Sequence, residues 1–140
     1  MVRHAERTGS TDQLNSQGLI RAQELSRILD ESNISAIFAS TANRTQQTAA
    51  TLSTQIGVST SIYNALDLPS LVNEIKSIHK GQVVLVVGHS NTVPQTINLL
   101  GITPTLSDIP HNEYDNLYIV TICNNCDPRL IHMEYGNDTP

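Results

Sequence analysis

The sequence is short of basic residues. Eight lysines and arginines stand against 13 aspartates and glutamates, which gives a formal net charge of −5. A nucleic-acid surface needs a basic face, so this balance argues against DNA or RNA as a partner. It also means that any site for an anion must be built locally from the few arginines, against the overall field.

Long apolar runs and clustered carboxylates are also missing. No run approaches the roughly 20 residues that cross a bilayer, so no membrane partner is predicted. No carboxylate-rich metal cage is visible, and we expect neither a metal ion nor another cofactor. No signal peptide is visible. The cytoplasm is therefore the default expectation, with export after loss of an N-terminal segment as the alternative.

Cysteine is scarce, since Cys123 and Cys126 are the only two and form the short motif CNNC. A tetrahedral zinc site would need two further ligands nearby. A thioredoxin-like redox pair is expected at the start of a helix that follows a strand. Here the pair lies between two strand-like runs, NLYIVTI and RLIHMEY. We favour a turn with two incidental thiols, and a disulfide is the alternative.

What the sequence does contain is enough for one folded domain, residues 1–140. The length and the apolar content of 39% are typical of a single core. The dipeptide MV before RHAE is shorter than a buried strand of about five or six residues. We therefore expect a truncated first strand, or a chain that is part of a longer precursor. The oligomeric state is not predicted.

Helical and strand patterns alternate along the chain. Helices are expected at 16–31, at 41–57 with Gly57 as its end, from Pro69 onwards and at 91–101. The buried faces of the first and third are predicted to contain Leu19, Ala22, Leu25, Ile28 and Leu29, and Leu71, Val72, Ile75 and Ile78. Asn15 or Ser16 would cap the first helix. Strands are expected at 36–40, weakly at 58–63, at Val83–Val87 in the centre, and at 114–122 and 129–136, with a loop at 101–113.

This alternation predicts an α/β fold, with three α/β/α layers around a mostly parallel sheet. In such sheets ligands lie beyond the carboxyl ends of the strands. Arg3 and His4, Ser40, and His89 all follow predicted strands, so they should meet at one edge. Arg44 follows in the next helix. The candidate site is therefore Arg3, His4, Arg44 and His89, with Arg7 as a possible addition.

These residue types suit phosphoryl transfer. A neutral imidazole is a nucleophile available near neutral pH, and its attack on phosphorus divides one difficult step into two. Guanidinium groups match phosphate oxygens with two parallel hydrogen bonds and keep their charge. They can stabilise the transition state where other enzymes use metal ions.

Four segments resemble the histidine phosphatase superfamily, also called phosphoglycerate mutase-like. VRHAE is similar to its R-H-G motif and LNSQGLIRAQEL to its L-T-x-x-G-x-x-Q-A-x-x-L helix. IFASTANRTQQTA resembles the S-x-x-x-R-x-x-Q-T-A segment, and VVLVVGHSNTV the V-x-V-V-x-H-G segment. The segments occur in the family's order and span residues 2–93. Ala5 replaces the usual glycine.

The resemblance implies that His4 is the phosphorylated nucleophile and that Arg3, Arg44 and His89 bind the phosphoryl group. Ser90 stands where the acid-phosphatase branch would have aspartate, which favours the other branch. The short chain looks most like the compact phosphohistidine phosphatases. The resemblance also implies that the substrate is a small phosphorylated molecule or a phosphoprotein.

The general acid is less clear than the nucleophile. Asp67 and Glu6 are the candidates, although Asp67 would equally cap the helix near Pro69. Without a strong acid, the enzyme would favour good leaving groups. Arg7, Ser90 and Asn91 are candidate substrate-binding residues, and for Asn91 capping of the next helix is the favoured interpretation.

The sequence thus predicts a metal-independent phosphatase that hydrolyses phosphate monoesters or phosphohistidine through phosphorylated His4. A phosphoglycerate-type mutase and a noncatalytic phosphate-binding module are the alternatives.

Overall fold

The structure is a computed structural model that describes residues 1–139. It contains ten elements, which alternate as predicted until the last two strands. The strands are β1 (Val2–Arg3), β2 (Ile34–Ser40), β3 (Thr60–Tyr63), β4 (Val83–Gly88), β5 (Asn116–Cys123) and β6 (Cys126–Glu134). The helices are α1 (Ser16–Leu29), α2 (Asn43–Ile56), α3 (Leu68–Ser77) and α4 (Thr92–Leu99).

The six strands form one sheet in the order β3-β2-β4-β1-β5-β6. The first four strands are parallel, while β5 runs antiparallel to β1 and pairs with β6 as a hairpin. The carboxyl ends of β1, β2 and β4 therefore lie at one edge. The start of β5 lies at the same edge, because Val2 pairs with Leu117. The predicted three-layer α/β fold with a mostly parallel sheet is confirmed.

Helices cover both faces of the sheet. Leu85 and Val87 of β4 pack into a core with the buried face of α1 and α2, and Val86 points to a second core with α3. A third apolar cluster forms between α4, the loop before β5, and Tyr118. This central strand is buried on both faces over its second half, as its apolar run predicts.

Local signals explain where the helices begin and end. The Asn15 side chain accepts a hydrogen bond from the Gly18 amide at 2.9 Å, as expected for the cap of α1. Asp67 caps α3 in the same way through Ser70. Gly57 ends α2 with a φ of 70°, a left-handed conformation that favours glycine.

Gly18 also has a packing role beside the candidate site. A Cβ atom there would lie 2.2 Å from the backbone oxygen of Glu6. The glycine therefore lets α1 approach the backbone that follows β1, which brings the segment after His4 against the helix.

Some predicted details are wrong. Leu19, Ile78 and Val83 are 51%, 66% and 47% exposed, because each lies near an element's end where the opposite layer does not reach. Cys123 and Cys126 are not incidental thiols but form a disulfide. The hairpin register pairs them across its turn, with their Cα atoms 5.6 Å apart, which is within bonding range.

A cavity of about 690 Å³ lies between β4 and β5, at the edge of the sheet opposite the candidate site. It is lined by β4 residues 83–86 and β5 residues 117–123. Among the helices of residues 1–139, none is long and apolar enough to cross a membrane.

Candidate active site

Four residues from three separate parts of the chain meet at the carboxyl edge of the parallel strands. The rings of His4 and His89 are 5.6 Å apart, centre to centre. Nη2 of Arg44 lies 3.2 Å from Nδ1 of His89. The charges of Arg3 and Arg44 both act on His4. The expected convergence of two imidazoles and two guanidinium groups is therefore present in the structure.

His4 follows directly after β1 and is held by the backbone. Its amide donates to the Gly88 oxygen at 2.8 Å, which extends the pairing of β1 with β4. Its Nδ1 lies 2.8 Å from the Ala5 oxygen. Because a carbonyl oxygen only accepts, Nδ1 carries the proton and the lone pair of Nε2 is available. The Ala5 amide in turn donates to Thr48 Oγ1 at 2.9 Å.

The His4 ring is neutral across the physiological range. Burial, with a smaller contribution from the positive charges of Arg3 and Arg44, lowers its pKa to about 3, against the opposing effect of the hydrogen bond from Nδ1 to Ala5. A neutral imidazole with a free Nε2 is the form that can attack an electrophile.

His89 is held in the opposite tautomer. Its Nδ1 faces a donor, Nη2 of Arg44, so that nitrogen accepts and Nε2 carries the proton. Nε2 donates to Ser40 Oγ at 2.9 Å, and Ser40 Oγ lies 2.9 Å from Thr45 Oγ1. Burial, and then the Arg44 charge, lower the pKa of His89 to about 4. Its amide donates to Thr92 Oγ1 and is therefore not free to bind an anion.

Arg3 is buried and anchored through one of its three nitrogens. Nη1 donates to three backbone oxygens of the loop before β5, those of Pro110, His111 and Glu113, at 3.0, 3.1 and 2.7 Å. The guanidinium also lies over the Tyr114 ring, 4.0 Å from its centre, and that ring is 6.0 Å from the ring of His4. The loop between α4 and β5 thus fixes Arg3 beside His4.

Arg44 is anchored in a similar way from the first turn of α2. Its Nη1 donates to Asp12 Oδ1 at 2.7 Å. The same carboxylate accepts from the backbone amides of Asn43 at 2.9 Å and Arg44 at 3.4 Å. These amides and the guanidinium, led by the Asn43 amide, hold the pKa of Asp12 below its usual value.

The Nε atoms of Arg3 and Arg44 are buried and have no hydrogen-bond partner within residues 1–139. In a guanidinium group, Nε–H and one N–H of Nη2 point the same way and form an edge that matches two oxygens of a phosphate. Both arginines are held by Nη1. A buried donor without a partner is costly, so a ligand with several acceptor oxygens fits this pair of edges.

The two candidate acids are both engaged elsewhere. The Glu6 carboxylate accepts from Arg21 Nε at 2.9 and 3.0 Å and pairs with its Nη2 at 2.8 Å, and the Arg21 side chain is only 2% exposed. Asp67 is exposed and accepts from the amide and the hydroxyl of Ser70. The structure gives each a structural partner, and neither contacts His4 or His89 through a hydrogen bond.

The candidate substrate-binding residues surround the site less closely. Arg7 donates to the Thr11 oxygen, and its charge contributes a small part of the lowered pKa of His89, after burial and Arg44. Ser90 is half-buried, and its backbone oxygen accepts from the Ile109 amide. Asn91 is exposed, and its side chain does not cap α4, so the favoured interpretation of this residue is wrong.

Sequence reasoning missed Asp12, which holds Arg44. The signal for Asp12 was the absence of a capping side chain at Ala42, before α2. From the sequence, the segment Glu113-Tyr114-Asp115 either closes over the site or only precedes a strand. The structure places the Tyr114 ring against Arg3 and near His4.

Comparison with known proteins confirms the family resemblance. Residues 1–67 match the model of the histidine phosphatase superfamily (branch 1). No curated protein matches the chain.

Solved structures share the whole fold at low identity. The protein histidine phosphatase SixA, complexed with tungstate, superposes with a TM-score of 0.73 at 18% identity, over 95% of this chain and 94% of that one. A mycobacterial glucosyl-3-phosphoglycerate phosphatase gives 0.68 at 13% identity, over 96% and 95%. A protein described as mycobacterial hydrolase 1 gives 0.69 at 13%, over 98% and 97%. The length and topology of this chain are thus those of compact members of the fold.

Proposed function

We propose, for a chain whose first 67 residues match branch 1 of the histidine phosphatase superfamily, that it is a phosphatase that works through phosphorylated His4. Its substrates would be phosphate monoesters with good leaving groups or phosphohistidine, either on a small molecule or on a protein. The family match and the phosphatases among the structural neighbours support phosphatase activity in general.

The observation that carries the proposal is the pair of buried arginine Nε atoms without partners beside a neutral His4. Two such edges supply four N–H donors to one tetrahedral anion, and the Nε2 lone pair of His4 supplies a nucleophile. The arginines neutralise the charge that develops on the phosphoryl oxygens, so the proposed reaction needs no metal ion.

The proposed reaction has two displacements at phosphorus. In the first, Nε2 of His4 forms a bond to phosphorus while the bond to the leaving oxygen breaks, and that oxygen departs with the electron pair. In the second, a water oxygen forms a bond to phosphorus and one of its protons is released to solvent, while the P–N bond breaks and its electron pair returns to Nε2. Meanwhile the Nδ1–H of His4 stays on the Ala5 oxygen, which keeps the ring oriented through both steps.

Proton delivery limits the choice of substrate. Glu6 is bound to Arg21 and Asp67 to Ser70, and we therefore assign neither a role as a strong general acid. A leaving group that departs without help, such as an aryl oxide or the imidazole of a phosphohistidine, suits this site better than an alkoxide. We expect aryl phosphates to react faster than alkyl phosphates, and equal rates would contradict this.

The test is a single-turnover reaction with a ³²P-labelled aryl phosphate in the presence of a chelator. The reaction is quenched in alkali, where phosphohistidine survives, and the label is then located and tested for loss in acid. We expect acid-labile label on His4, and a fall in kcat of about 10³-fold or more in His4→Ala, because the nucleophile is lost.

The alternatives give different results in the same experiment. Binding of phosphate without label or turnover would indicate a noncatalytic module. Dependence on a bisphosphate primer, with transfer to a second hydroxyl instead of water, would indicate a mutase. Label on a residue other than His4 would overturn the proposed mechanism.

A further inference from the structure

We propose that Asp12 is a positioning residue for Arg44, a role that rests on the proposed function and adds a residue outside the family-like motifs. Asp12 lies in the loop between β1 and α1, whereas Arg44 begins α2. The carboxylate joins the two elements and fixes which edge of the guanidinium faces His89.

Asp12 fills a gap that the local sequence leaves. Ala42 occupies the capping position of α2 and has no side chain that could accept from the first amides. Asp12 Oδ2 accepts from the Asn43 amide at 2.9 Å, and Oδ1 accepts from the Arg44 amide at 3.4 Å. A carboxylate is favourable at the positive end of a helix, so the cap of α2 is supplied from 31 residues earlier in the chain.

The same carboxylate determines the orientation of the Arg44 side chain. Oδ1 holds Nη1 at 2.7 Å, which leaves Nη2 at 3.2 Å from His89 and Nε buried without a partner within residues 1–139. Without Asp12, Nη1 would lose its carboxylate partner, and the guanidinium group would be freer to rotate about its side-chain bonds. The two-donor edge would then no longer face the anion consistently.

The loop around Asp12 is itself tied to α2, which gives Asp12 a firm base. The Leu14 amide donates to Gln47 Oε1 at 2.8 Å, and Gln13 is hydrogen bonded to the Gln47 amide nitrogen. Asp12 therefore projects from a segment that two hydrogen bonds fix to Gln47, about one turn into the helix that Asp12 caps. A fixed support of this kind is what holds a catalytic group in a productive orientation.

The role makes a specific kinetic prediction. A misoriented Arg44 keeps its charge, so binding of inorganic phosphate in the ground state should change little or become slightly tighter as the negative charge of Asp12 is lost. Stabilisation of the transition state depends on orientation and should be weakened. We expect Asp12→Asn to lower kcat about tenfold, with a Ki for inorganic phosphate within about twofold of the wild-type value.

The pair of variants Asp12→Asn and Asp12→Ala separates positioning from capping. Asparagine has one acceptor oxygen, which replaces Oδ2 on the Asn43 amide when the NH2 group is turned towards Nη1 of Arg44. Asp12→Asn should therefore retain the wild-type melting temperature within a few degrees, whereas Asp12→Ala should melt several degrees lower. Both variants should show the loss in kcat. A wild-type kcat in Asp12→Asn would mean that Asp12 only caps α2 and does not position Arg44. A raised kcat would mean that the Asp12 carboxylate competes with the substrate for Arg44. Either result overturns the proposal.

Two control variants each remove one of the two kinds of interaction that Asp12 makes, a helix cap or an ion pair with an arginine. Asn15→Ala removes the cap of α1, and Glu24→Gln removes the charge of an exposed carboxylate that pairs with Arg27. Neither residue contacts the site, and we expect wild-type kcat in both. A similar loss in either control would mean that the effect of Asp12 is not specific.

A spectroscopic measurement distinguishes failure of this proposal from failure of the proposed function. The ¹H–¹⁵Nε signal of Arg44, assigned with Arg44→Lys, should shift when tungstate is added to the wild-type protein. In Asp12→Asn it should be broadened before the addition. If the wild-type protein binds tungstate but does not hydrolyse an aryl phosphate, the phosphatase proposal fails, and the Arg44 signal still tests positioning. An Arg44 signal that is unchanged in Asp12→Asn would refute the positioning role alone.

Discussion

Two arginine sites lie close to the segment that follows β1, and they differ in whether every guanidinium nitrogen has a hydrogen-bond partner. Arg21 is buried with every nitrogen engaged: Nε on Glu6, Nη1 on the Tyr135 oxygen at 2.6 Å and Nη2 on the Asn137 oxygen at 2.7 Å and on Glu6. Arg3 and Arg44 are held by Nη1, and their Nε atoms have no partner in the described part of the chain.

Under the proposed function, this difference separates a structural arginine from a ligand-binding one. Arg3 and Arg21 are both 3% exposed, so burial alone would not tell them apart. Arg21, whose nitrogens are all hydrogen bonded, ties the C-terminal tail to α1 and to Glu6, two residues after His4. Donors that are buried but unsatisfied carry a cost unless a ligand completes them. Nε and Nη2 of Arg21 bind the carboxylate of Glu6. The same two atoms of Arg3 and of Arg44 would bind two oxygens of a phosphate in this way.

The largest expected effect breaks the structural site. Glu6→Gln leaves the Arg21 charge buried without its counter-ion, which should lower the free energy of unfolding by about 3 kcal/mol. Urea unfolding measures this. At a temperature where the variant is folded, kcat should stay within about threefold of wild type. A large fall in kcat with unchanged stability would instead identify Glu6 as the general acid.

The converse change breaks the ligand-binding site without unfolding the protein. Arg44→Lys keeps a positive charge near Asp12 but removes the two-donor edge. We expect kcat/KM to fall about 100-fold, equivalent to about 2.7 kcal/mol, with the free energy of unfolding nearly unchanged. Arg27→Lys, in an exposed pair with Glu24, is the matched control and should alter neither quantity. If Arg44→Lys lowered the free energy of unfolding by as much as it raised the activation free energy, Arg44 would be a structural arginine like Arg21.

The smallest expected effect is a loss of stability at low pH that comes from the two buried histidines of the candidate site. The folded pKa values of His4 and His89, about 3 and 4, lie below the value of about 6.5 for an unfolded histidine. Between pH 6.5 and 5 the unfolded rings take up protons and the folded rings do not. Stability is therefore lost as the pH falls through this window, by roughly 2 kcal/mol from His4 alone between pH 7 and 5.

Urea unfolding of wild type and His4→Gln at several pH values between 7 and 5 checks this prediction. Because the two proteins differ only at position 4, the difference between their pH profiles isolates the contribution of His4. The variant should lose the share contributed by His4. Parallel pH profiles of the two proteins would show that His4 is not held neutral by the fold.

The parallel half of the fold was readable from the sequence because its signals are local. The apolar run at Val83–Val87, Gly57 after α2, and Asn15 before α1 each act within a few residues of the element they define. The tail was harder to interpret. The pairing of Cys123 with Cys126 depends on the register of a hairpin, and a shift of one residue would have placed the two sulfur atoms on opposite faces.

The candidate site was readable to the same extent. Residues that follow strands, such as His4 and His89, could be brought together by the topology of a parallel sheet alone. The partners of the arginines could not. Glu6 was considered as an acid because it lies beside His4 in the sequence, whereas its partner Arg21 is 15 residues away. The oxygens that hold Nη1 of Arg3 come from residues more than 100 positions later.

The position of His4 between β4 and β5 has a mechanical consequence. Val2 and Arg3 pair with β4, Val2 also pairs with β5, and Met1 is hydrogen bonded to Tyr118. His4 is the next residue, and its amide donates to the Gly88 oxygen of β4. A displacement of the β5–β6 hairpin against the parallel strands would therefore move the His4 imidazole relative to Arg44, which is anchored on α2 and Asp12 instead of on this part of the sheet.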